Sequence, residues 1–186
     1  MRDSAAEDVG RHLGPDEHLI WSGIPRQGLV LRPSDAFMIP FSLMWGGFAF
    51  FWEVTAVAQG SGLFFALWGI PFVLVGIYMI VGRFFADARI RANTSYGLTN
   101  RRVIIISGLF SKSSQSLPLG NLQEVSLREF AGDLGTIRLG RSPSLAFWPE
   151  GLAWPGASQY QAPMLDMIPQ ARRVHDQLLQ AQAAAT

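Results

Sequence analysis

The sequence predicts a membrane protein of the α+β class, in which a two-helix transmembrane hairpin precedes an antiparallel β-barrel or sandwich with a C-terminal α-helix. Three features carry this prediction: an apolar stretch at residues 36–82, a series of short strand-like segments from residue 94, and an amphipathic segment near the C-terminus. The predicted division is a cytoplasmic N-terminal arm at residues 1–35, the hairpin at 36–82 and a cytoplasmic domain at 83–186.

The apolar stretch contains a single charged residue, Glu53, and is divided by the short loop Gln59-Gly60-Ser61-Gly62. A helix needs roughly 20 mostly apolar residues to cross the bilayer core, because unpaired backbone groups are too costly in hydrocarbon. Each half of the stretch reaches that length, and the loop has room only for a tight turn. The alternative is a pair of buried helices in a soluble core, but a chain of 186 residues is too short to enclose both.

Basic residues flank the predicted hairpin on one side of the membrane only. Arg26 and Arg32 precede it, Arg83, Arg89 and Arg91 follow it, and the loop has no Lys or Arg. Since basic residues near the ends of spans stay on the cytoplasmic side, both termini are expected to face the cytoplasm. The first apolar run begins too late for a cleaved signal peptide, so the hairpin is expected to remain in the mature protein.

Glu53 is the ionisable residue of the hairpin, and such a residue at membrane depth is by default a functional candidate. It lies within two turns of the loop, and neither span contains a Lys, Arg or His that would pair with it. We therefore expect a structural or interfacial role, with ion or proton transport as the alternative. Gly46-Gly47 and Gly69 are predicted to allow close contact between the two helices.

The region from residue 94 consists of short segments with strand character. Arg102–Ser107 is the strongest because of its β-branched residues, and Pro118 is typical of an edge strand. Ile137 and Leu139 are expected to point into the core, with Thr136 and Arg138 pointing outward. A further strand, or a strip lying against the domain, is predicted at residues 17–25. The predicted strands of the domain are Ser95–Thr99, Arg102–Ser107, Lys112–Leu119, Leu122–Leu127, Gly135–Gly140, Ser144–Trp148 and Ala157–Gln161.

The chain ends in a segment with helical periodicity. Asp166 is predicted to cap this helix and Pro169 to lie in its first turn, where proline is tolerated. The helix is expected to close one open end of the barrel or sandwich. The apolar residues that recur at helical spacing are Met164, Met167, Ile168, Ala171, Val174, Leu178 and Leu179.

The composition points away from catalysis. The absence of Cys excludes disulfides and thiolate metal sites, and a net charge of +1 gives no reason to expect a nucleic-acid partner. His12, His18 and His175 do not have the spacing of metal ligands, and no glycine-rich loop has a nucleotide-binding form. We therefore predict no catalytic residue, no cofactor and no metal site, and a protein that is not an enzyme.

Three sequence motifs resemble the bacterial pleckstrin-homology-like (PH-like) domain of membrane-anchored proteins. They are Tyr96-x-Leu98-Thr99-Asn100-Arg101-Arg102-Val103-Ile104, Leu117-Pro118-Leu119 and Gly135-Thr136-Ile137, and the upstream Glu17-x-x-Ile20-Trp21-x-Gly23-x-Pro25 resembles the segment that precedes a two-span hairpin in such proteins. Asn100 departs from the acidic residue that the family usually has in this turn. The resemblance implies a seven-stranded barrel with a C-terminal helix, a multi-pass protein of the bacterial plasma membrane, and a role in binding rather than catalysis.

The functional prediction is a membrane-anchored binding or scaffold protein that engages the inner membrane surface or a protein partner. Arg101, Arg102 and Lys112 lie near strand ends and are predicted to bind an anionic lipid or an acidic partner. Arg83, Arg89 and Arg91 are predicted to contact the membrane surface, where each basic residue contributes about 1 kcal/mol. Solvated turn charge and simple marking of topology are the alternatives for these two groups.

The predicted partners are membrane lipids and either a protein partner or further copies of the chain. An alternative function is an accessory subunit of a membrane transport or envelope complex, in which the hairpin itself forms the interface.

Overall fold

The structure is a computed structural model, and its described residues form two compact units. The hairpin unit comprises residues 29–87, and the domain unit combines residues from the N-terminus with the β-rich region. The predicted strands at 144–148 and 157–161 lie outside the described residues. The described ranges are 2–32, 34–108, 112–122, 124–130, 132–140 and 162–185.

The hairpin unit contains two helices that are long and apolar enough to cross a membrane, judged by length and composition. The first is α2 (Asp35–Ala58). The second runs for 30 residues, as α3 (Leu63–Ile77), a π-helical turn (Tyr78–Gly82) and α4 (Arg83–Ala92), whose residues from Ala88 onward belong to the domain unit. Most large apolar side chains of both helices are exposed, as Phe48, Phe64 and Leu74 are. A soluble core helix has the opposite distribution, because its apolar side chains are buried.

Glycines allow α2 and α3 to pack closely. A Cβ added to Gly76 would lie 2.9 Å from Cα of Gly46, so neither position has space for a side chain against the other helix. A Cβ added to Gly47 would meet no atom within 4 Å. The close helix contact predicted at Gly46 is therefore confirmed, whereas Gly47 lies away from the contact.

The domain unit contains seven described strands in two antiparallel sheets. The four-stranded sheet has the order β1-β2-β3-β4, and the three-stranded sheet has the order β5-β6-β7. The N-terminal helix α1 (Arg2–Gly10) and the C-terminal helix α5 (Ala171–Ala185) complete the unit. The strands are β1 (Leu19–Gly23), β2 (Ser95–Thr99), β3 (Arg102–Ser107), β4 (Ser113–Pro118), β5 (Val125–Phe130), β6 (Leu134–Leu139) and β7 (Met164–Pro169).

Both sheets and α5 contribute to one apolar core. Leu98 and Val103 enter it from the four-stranded sheet, Ile137 from the three-stranded sheet, and Val174 and Leu178 from α5. The described strands do not close into a barrel, so the sandwich arrangement fits the structure better. Among the described strands, β4 is the last of its sheet, which agrees with the edge position predicted for the segment containing Pro118.

The predicted start of the C-terminal helix is wrong. Met164–Pro169 is strand β7, which pairs with β6, and the helix begins at Ala171. Met167 and Gln170 have left-handed backbone torsions, with φ of 49° and 54°, and Pro169 disfavours a helical conformation for the residue before it. Leu165 and Ile168 enter the core from this strand, so their helical spacing reflects a bulged strand.

The N-terminal arm provides two elements of the domain unit. The strand predicted at residues 17–25 is confirmed as β1, which pairs with β2 at Trp21 and Leu98. Helix α1 was not predicted, although its buried residues Ala5 and Val9 are four apart and so share one helix face.

Candidate functional site

Helix α1 covers the outer face of the four-stranded sheet. On this face Gly97 of β2 lies opposite Ile104 of β3 in the strand register. Val9 packs with Ile104 and Ile106, and all three residues are buried. A Cβ added to Gly97 would collide with the Val9 side chain. The absence of a side chain at Gly97 therefore creates a notch that Val9 fills, and we call Gly97, Ile104 and Ile106 the α1 seat.

Arg102, one of the predicted ligand-binding cations, forms a bidentate ion pair with Glu17. Its Nε and Nη2 atoms each lie 2.8 Å from a carboxylate oxygen of Glu17. Nη2 also donates to the carbonyl oxygen of His12 at 2.9 Å, and Nη1 donates to the hydroxyl of Ser116 at 3.2 Å. The bidentate ion pair joins the segment just before β1 to the start of β3.

Glu17 is enclosed by further donors. The backbone N–H of Gly14 donates to Oε2 at 2.8 Å, and the Thr99 hydroxyl donates to Oε1 at 2.7 Å. Hydrogen bonding from Arg102, supported by Gly14 and Thr99, outweighs the effect of burial and lowers the pKa of Glu17 to about 2. The same ion pair raises the pKa of Arg102. Glu17 is therefore ionised at neutral pH.

Lys112, the second predicted cation, holds α1 through Asp8. Its Nζ atom lies 2.8 Å from Oδ2 of Asp8, and the Ser95 hydroxyl donates to the same oxygen at 3.4 Å. The hydrogen bond from Lys112 lowers the pKa of Asp8. The Lys112 side chain is 55% exposed and that of Asp8 is 21% exposed. An ion pair this open to solvent contributes little stability, on the order of 0–1 kcal/mol.

Arg101, the third predicted cation, lies in the turn between β2 and β3 and is exposed. Its backbone N–H donates to the Thr99 hydroxyl at 3.2 Å, and its side chain has no hydrogen-bond or ion-pair partner among the described residues. Of the three cations of the predicted site, Arg101 is without a described partner, and Arg102 and Lys112 already bind carboxylates of the N-terminal arm.

The base of the hairpin unit contains a buried ion pair. Nη1 of Arg83 lies 2.6 Å from Oδ1 of Asp35, and the two side chains are 5% and 7% exposed. The other carboxylate oxygen of Asp35 accepts the backbone N–H of Arg32 at 2.6 Å. A second ion pair joins Arg32 to Asp87 at 3.2 Å. Arg83, predicted to contact the membrane surface, is thus enclosed by protein groups that tie the start of α2 to α4.

Arg91 is also buried, and it holds the segment that follows β1. Its Nη1 and Nη2 atoms donate to the carbonyl oxygens of Arg26 and Gly28 at 3.1 and 2.8 Å. In return the Gln27 side chain donates to the carbonyl oxygen of Arg91 at 3.1 Å. Arg89 is exposed, and its side chain has no partner in the part of the chain that the structure describes. Membrane contact by Arg83, Arg89 and Arg91 stays a prediction. Of the three, Arg89 is the best candidate, because its side chain is exposed.

Glu53 lies in the contact between α2 and α3. A Cβ added to Gly69 would overlap its carboxylate, so the glycine makes space for it. Oε2 of Glu53 is buried and has no hydrogen-bond partner within the described residues. This carboxylate is therefore directed against α3, which agrees with the close contact predicted at Gly69.

The comparison with known families identifies the β-rich region. The family model described as Bacterial PH domain matches residues 46–182, well over half of the chain. The chain belongs to this family. The matched range of the bacterial PH domain runs from within α2 to α5, whereas α1 and β1 precede it. Comparisons with curated proteins and with solved structures gave no significant match. Membership indicates a binding or scaffold role at the level of the family.

Sequence reasoning selected the cations of this site but missed their acidic partners. Asp8 and Glu17 lie 104 and 85 residues before Lys112 and Arg102, and Asp35 lies 48 residues before Arg83. No local motif connects residues so far apart. The available signal was compositional, since residues 1–35 contain six acidic residues against four arginines.

Proposed function

We propose that this protein is a non-catalytic binding or scaffold module, in which a two-span hairpin anchors a PH-like domain to the bacterial plasma membrane. The exposure of large apolar side chains along α2 and α3 carries the anchoring proposal. In water these side chains would form an apolar surface far larger than soluble monomers expose, whereas in a bilayer they contact lipid tails. The close glycine contact and the paired charges at the hairpin base fit a self-contained unit of two spans.

The orientation we propose places both termini in the cytoplasm and the loop at residues 59–62 outside. The basic residues near the span ends support it, because Arg and Lys are retained on the cytoplasmic side. A reporter enzyme fused after Thr186 tests this directly: cytoplasmic activity is expected, and a periplasmic signal would exclude the topology. A second fusion within the loop provides the opposite control.

The ligand we propose for the domain carries acidic groups, either on a protein partner or on the lipids of the inner leaflet. Two of the three predicted cations, Arg102 and Lys112, already bind carboxylates in this fold. This arrangement supports recognition of carboxylate or phosphate groups at the same surface, because guanidinium and ammonium groups bind both. Arg101 adds an exposed guanidinium without a described partner.

Vesicle binding tests the lipid form of the proposal. The full chain would be held in discs of zwitterionic lipid and mixed with vesicles rich in phosphatidylglycerol. If the domain contacts anionic lipid, replacing the exposed Arg101 by Ala should weaken binding, and Arg102 is left intact because its ion pair with Glu17 supports the fold. Unchanged binding would exclude lipid recognition at this surface and leave an acidic protein as the ligand. Arg173→Ala, at an exposed position on α5, is the matched control.

Glu53 favours a second candidate function, that of an accessory subunit whose hairpin packs against another membrane protein. A buried carboxylate oxygen without a described donor is costly, and a donor from a partner helix would offset that cost. Exchange of residues 36–82 for an unrelated two-span hairpin, which keeps the Asp35–Arg83 pair, separates the two functions. The anchored-domain proposal predicts that the exchanged protein still functions in the cell, and the interface proposal predicts that it does not.

A further inference from the structure

We propose that α1 is a displaceable lid over the α1 seat, and that the ligand which replaces it is an acidic amphipathic helix of a partner protein. The inference rests on the proposed binding function and adds its regulation and the class of its ligand. Its basis is the juxtaposition of an apolar notch with the Lys112 cation, because α1 fills the notch with Val9 and pairs with Lys112 through Asp8.

The contacts of the N-terminal arm are unequal along its length. At residue 17 the arm is fixed, because the Glu17 side chain is only 3% exposed and accepts two hydrogen bonds from the Arg102 guanidinium. Before that point α1 is held by the insertion of Val9, by burial of Ala5, by the exposed Asp8–Lys112 pair and by the hydrogen bond from Ser95 to Asp8. After the end of α1, Arg102 also donates to the carbonyl oxygen of His12. A turn that includes Gly14 and the left-handed Asp16, with φ of 62°, separates the two regions. The fixed end acts as a hinge, and the Asp8–Lys112 pair acts as a latch.

Helix α1 has little stability of its own. It is nine residues long, and isolated helices shorter than about 12–15 residues are marginal in water. Its position therefore depends on the seat, and a helix that makes the same contacts with a larger apolar face would compete with it. The hinge keeps the displaced helix close to the seat, so displacement is reversible.

The chemistry of the seat selects the ligand. The notch above Gly97 accepts a small branched side chain such as Val9, and Ile104 and Ile106 form its apolar floor. Lys112 lies beside it and binds a carboxylate adjacent to that side chain, as Asp8 and Val9 are adjacent in α1. A helix that presents an apolar residue next to an acidic one satisfies both requirements. A lipid headgroup supplies only the charge, which is why we infer a helix.

The test uses the full chain in discs of zwitterionic lipid and a fluorescent synthetic peptide with the sequence of residues 2–18. In the wild-type protein the lid competes with the peptide, so apparent affinity is reduced by the fraction of molecules that are open. Val9→Asp, which places a charge in the apolar notch and releases the lid, should raise the affinity for this peptide at least about tenfold. Adding Gly97→Leu to that variant fills the notch and should abolish the gain, whereas adding Gly120→Leu, at an open position, should not.

Three results would overturn the lid. The first is equal peptide affinity for wild type and Val9→Asp. The second is a gain in peptide affinity that persists when Gly97→Leu is added to Val9→Asp. The third is a gain in the affinity of Val9→Asp for phosphatidylglycerol vesicles without any gain for the peptide. If the peptide binds wild type and Val9→Asp equally well, the lid is excluded but the proposed surface for acidic ligands is still supported. The lid and the proposed binding function can therefore be rejected independently.

Hydrogen exchange tests the same idea without a peptide ligand. The amides of α1 should exchange at least about tenfold faster than those of β2 and β3, because the lid opens while the sheet stays paired. Lys112→Gln, which removes the latch, should accelerate exchange in α1 alone. Equal protection of α1 and β3 in both proteins would overturn the proposal.

Discussion

Glu17 and Arg102 lie 85 residues apart in the chain and meet in a bidentate ion pair, with both nitrogen–oxygen distances at 2.8 Å. The pair fixes the N-terminal arm to a domain whose family-matched region begins only at residue 46. Its acidic member is almost fully enclosed, and its basic member is 30% exposed. The guanidinium that sequence analysis assigned to a ligand therefore already binds an acidic group of its own chain.

We expect Glu17→Gln to destabilise the domain by about 1–3 kcal/mol, because it removes the charge opposite a partly buried arginine and weakens four hydrogen bonds. The measurement is the midpoint of thermal unfolding followed by circular dichroism in detergent. Glu129→Gln is a matched control, since Glu129 and Arg172 have the same bidentate geometry but are exposed. A Glu129→Gln effect as large as that of Glu17→Gln would contradict the assignment.

The stability contributed by Glu17 should depend on pH in a defined window. Its pKa is about 2 in the folded protein and about 4.5 when unperturbed, so its contribution is complete above pH 4.5 and disappears as the pH falls through 2. Wild type and Glu17→Gln should therefore differ most at neutral pH and converge on acidification. A difference in melting midpoint that stays constant between pH 6 and pH 2 would argue against an ionised Glu17.

Replacement of Arg83 by Gln should destabilise the hairpin unit by about 3–5 kcal/mol, because it leaves the buried carboxylate of Asp35 without its charged partner. The exposed Arg89→Gln is the control on the same helix, with an expected effect within about 0.5 kcal/mol. Both are measured by denaturant titration in micelles. If the double replacement Asp35→Asn and Arg83→Gln is no more stable than Arg83→Gln alone, the pair is not coupled.

Gly76→Ala should separate α2 from α3 and destabilise the hairpin by about 1–3 kcal/mol, since the new methyl group would lie 2.9 Å from the backbone Cα of Gly46 and the helices must move apart to relieve the contact. Gly47→Ala adds the same methyl group where no atom lies within 4 Å. It should be neutral, or slightly stabilising through helix propensity. Cysteine crosslinking between the helices, simple in a chain without native Cys, reports the separation. Equal crosslinking rates in the two variants would contradict the close contact.

The parts of the fold that were predicted correctly depend on local patterns. Apolar runs long enough to span a membrane predicted the two long helices. The β-branched residues predicted the strand Arg102–Ser107 with its correct bounds. Ile137 and Leu139 enter the core as their alternation predicted, whereas Thr136, predicted to point outward, is buried, and its hydroxyl forms hydrogen bonds with Asp166 and with the Met167 amide of β7. Such patterns are local because each element repeats its geometry every two or 3.6 residues.

The wrong or missing secondary-structure predictions concern segments whose structure depends on an element distant in sequence. Met164–Pro169 has helical spacing, but pairing with β6 and a bulge between Gly135 and Ile137 make it a strand. Helix α1 has only two buried side chains between residues 5 and 10, too few for its amphipathic pattern to stand out, and the notch at Gly97 gives it a place to pack.

The two apolar helices, most of the strands and the cations of the candidate site could be predicted without the fold, because hydropathy and side-chain periodicity are properties of neighbouring residues. The carboxylate that each cation binds could not, because it depends on how distant segments pack. Lys112 takes Asp8, Arg102 takes Glu17 and Arg83 takes Asp35. Electrostatic attraction acts between any opposite charges, and it is the folded backbone that brings one particular pair within hydrogen-bond distance.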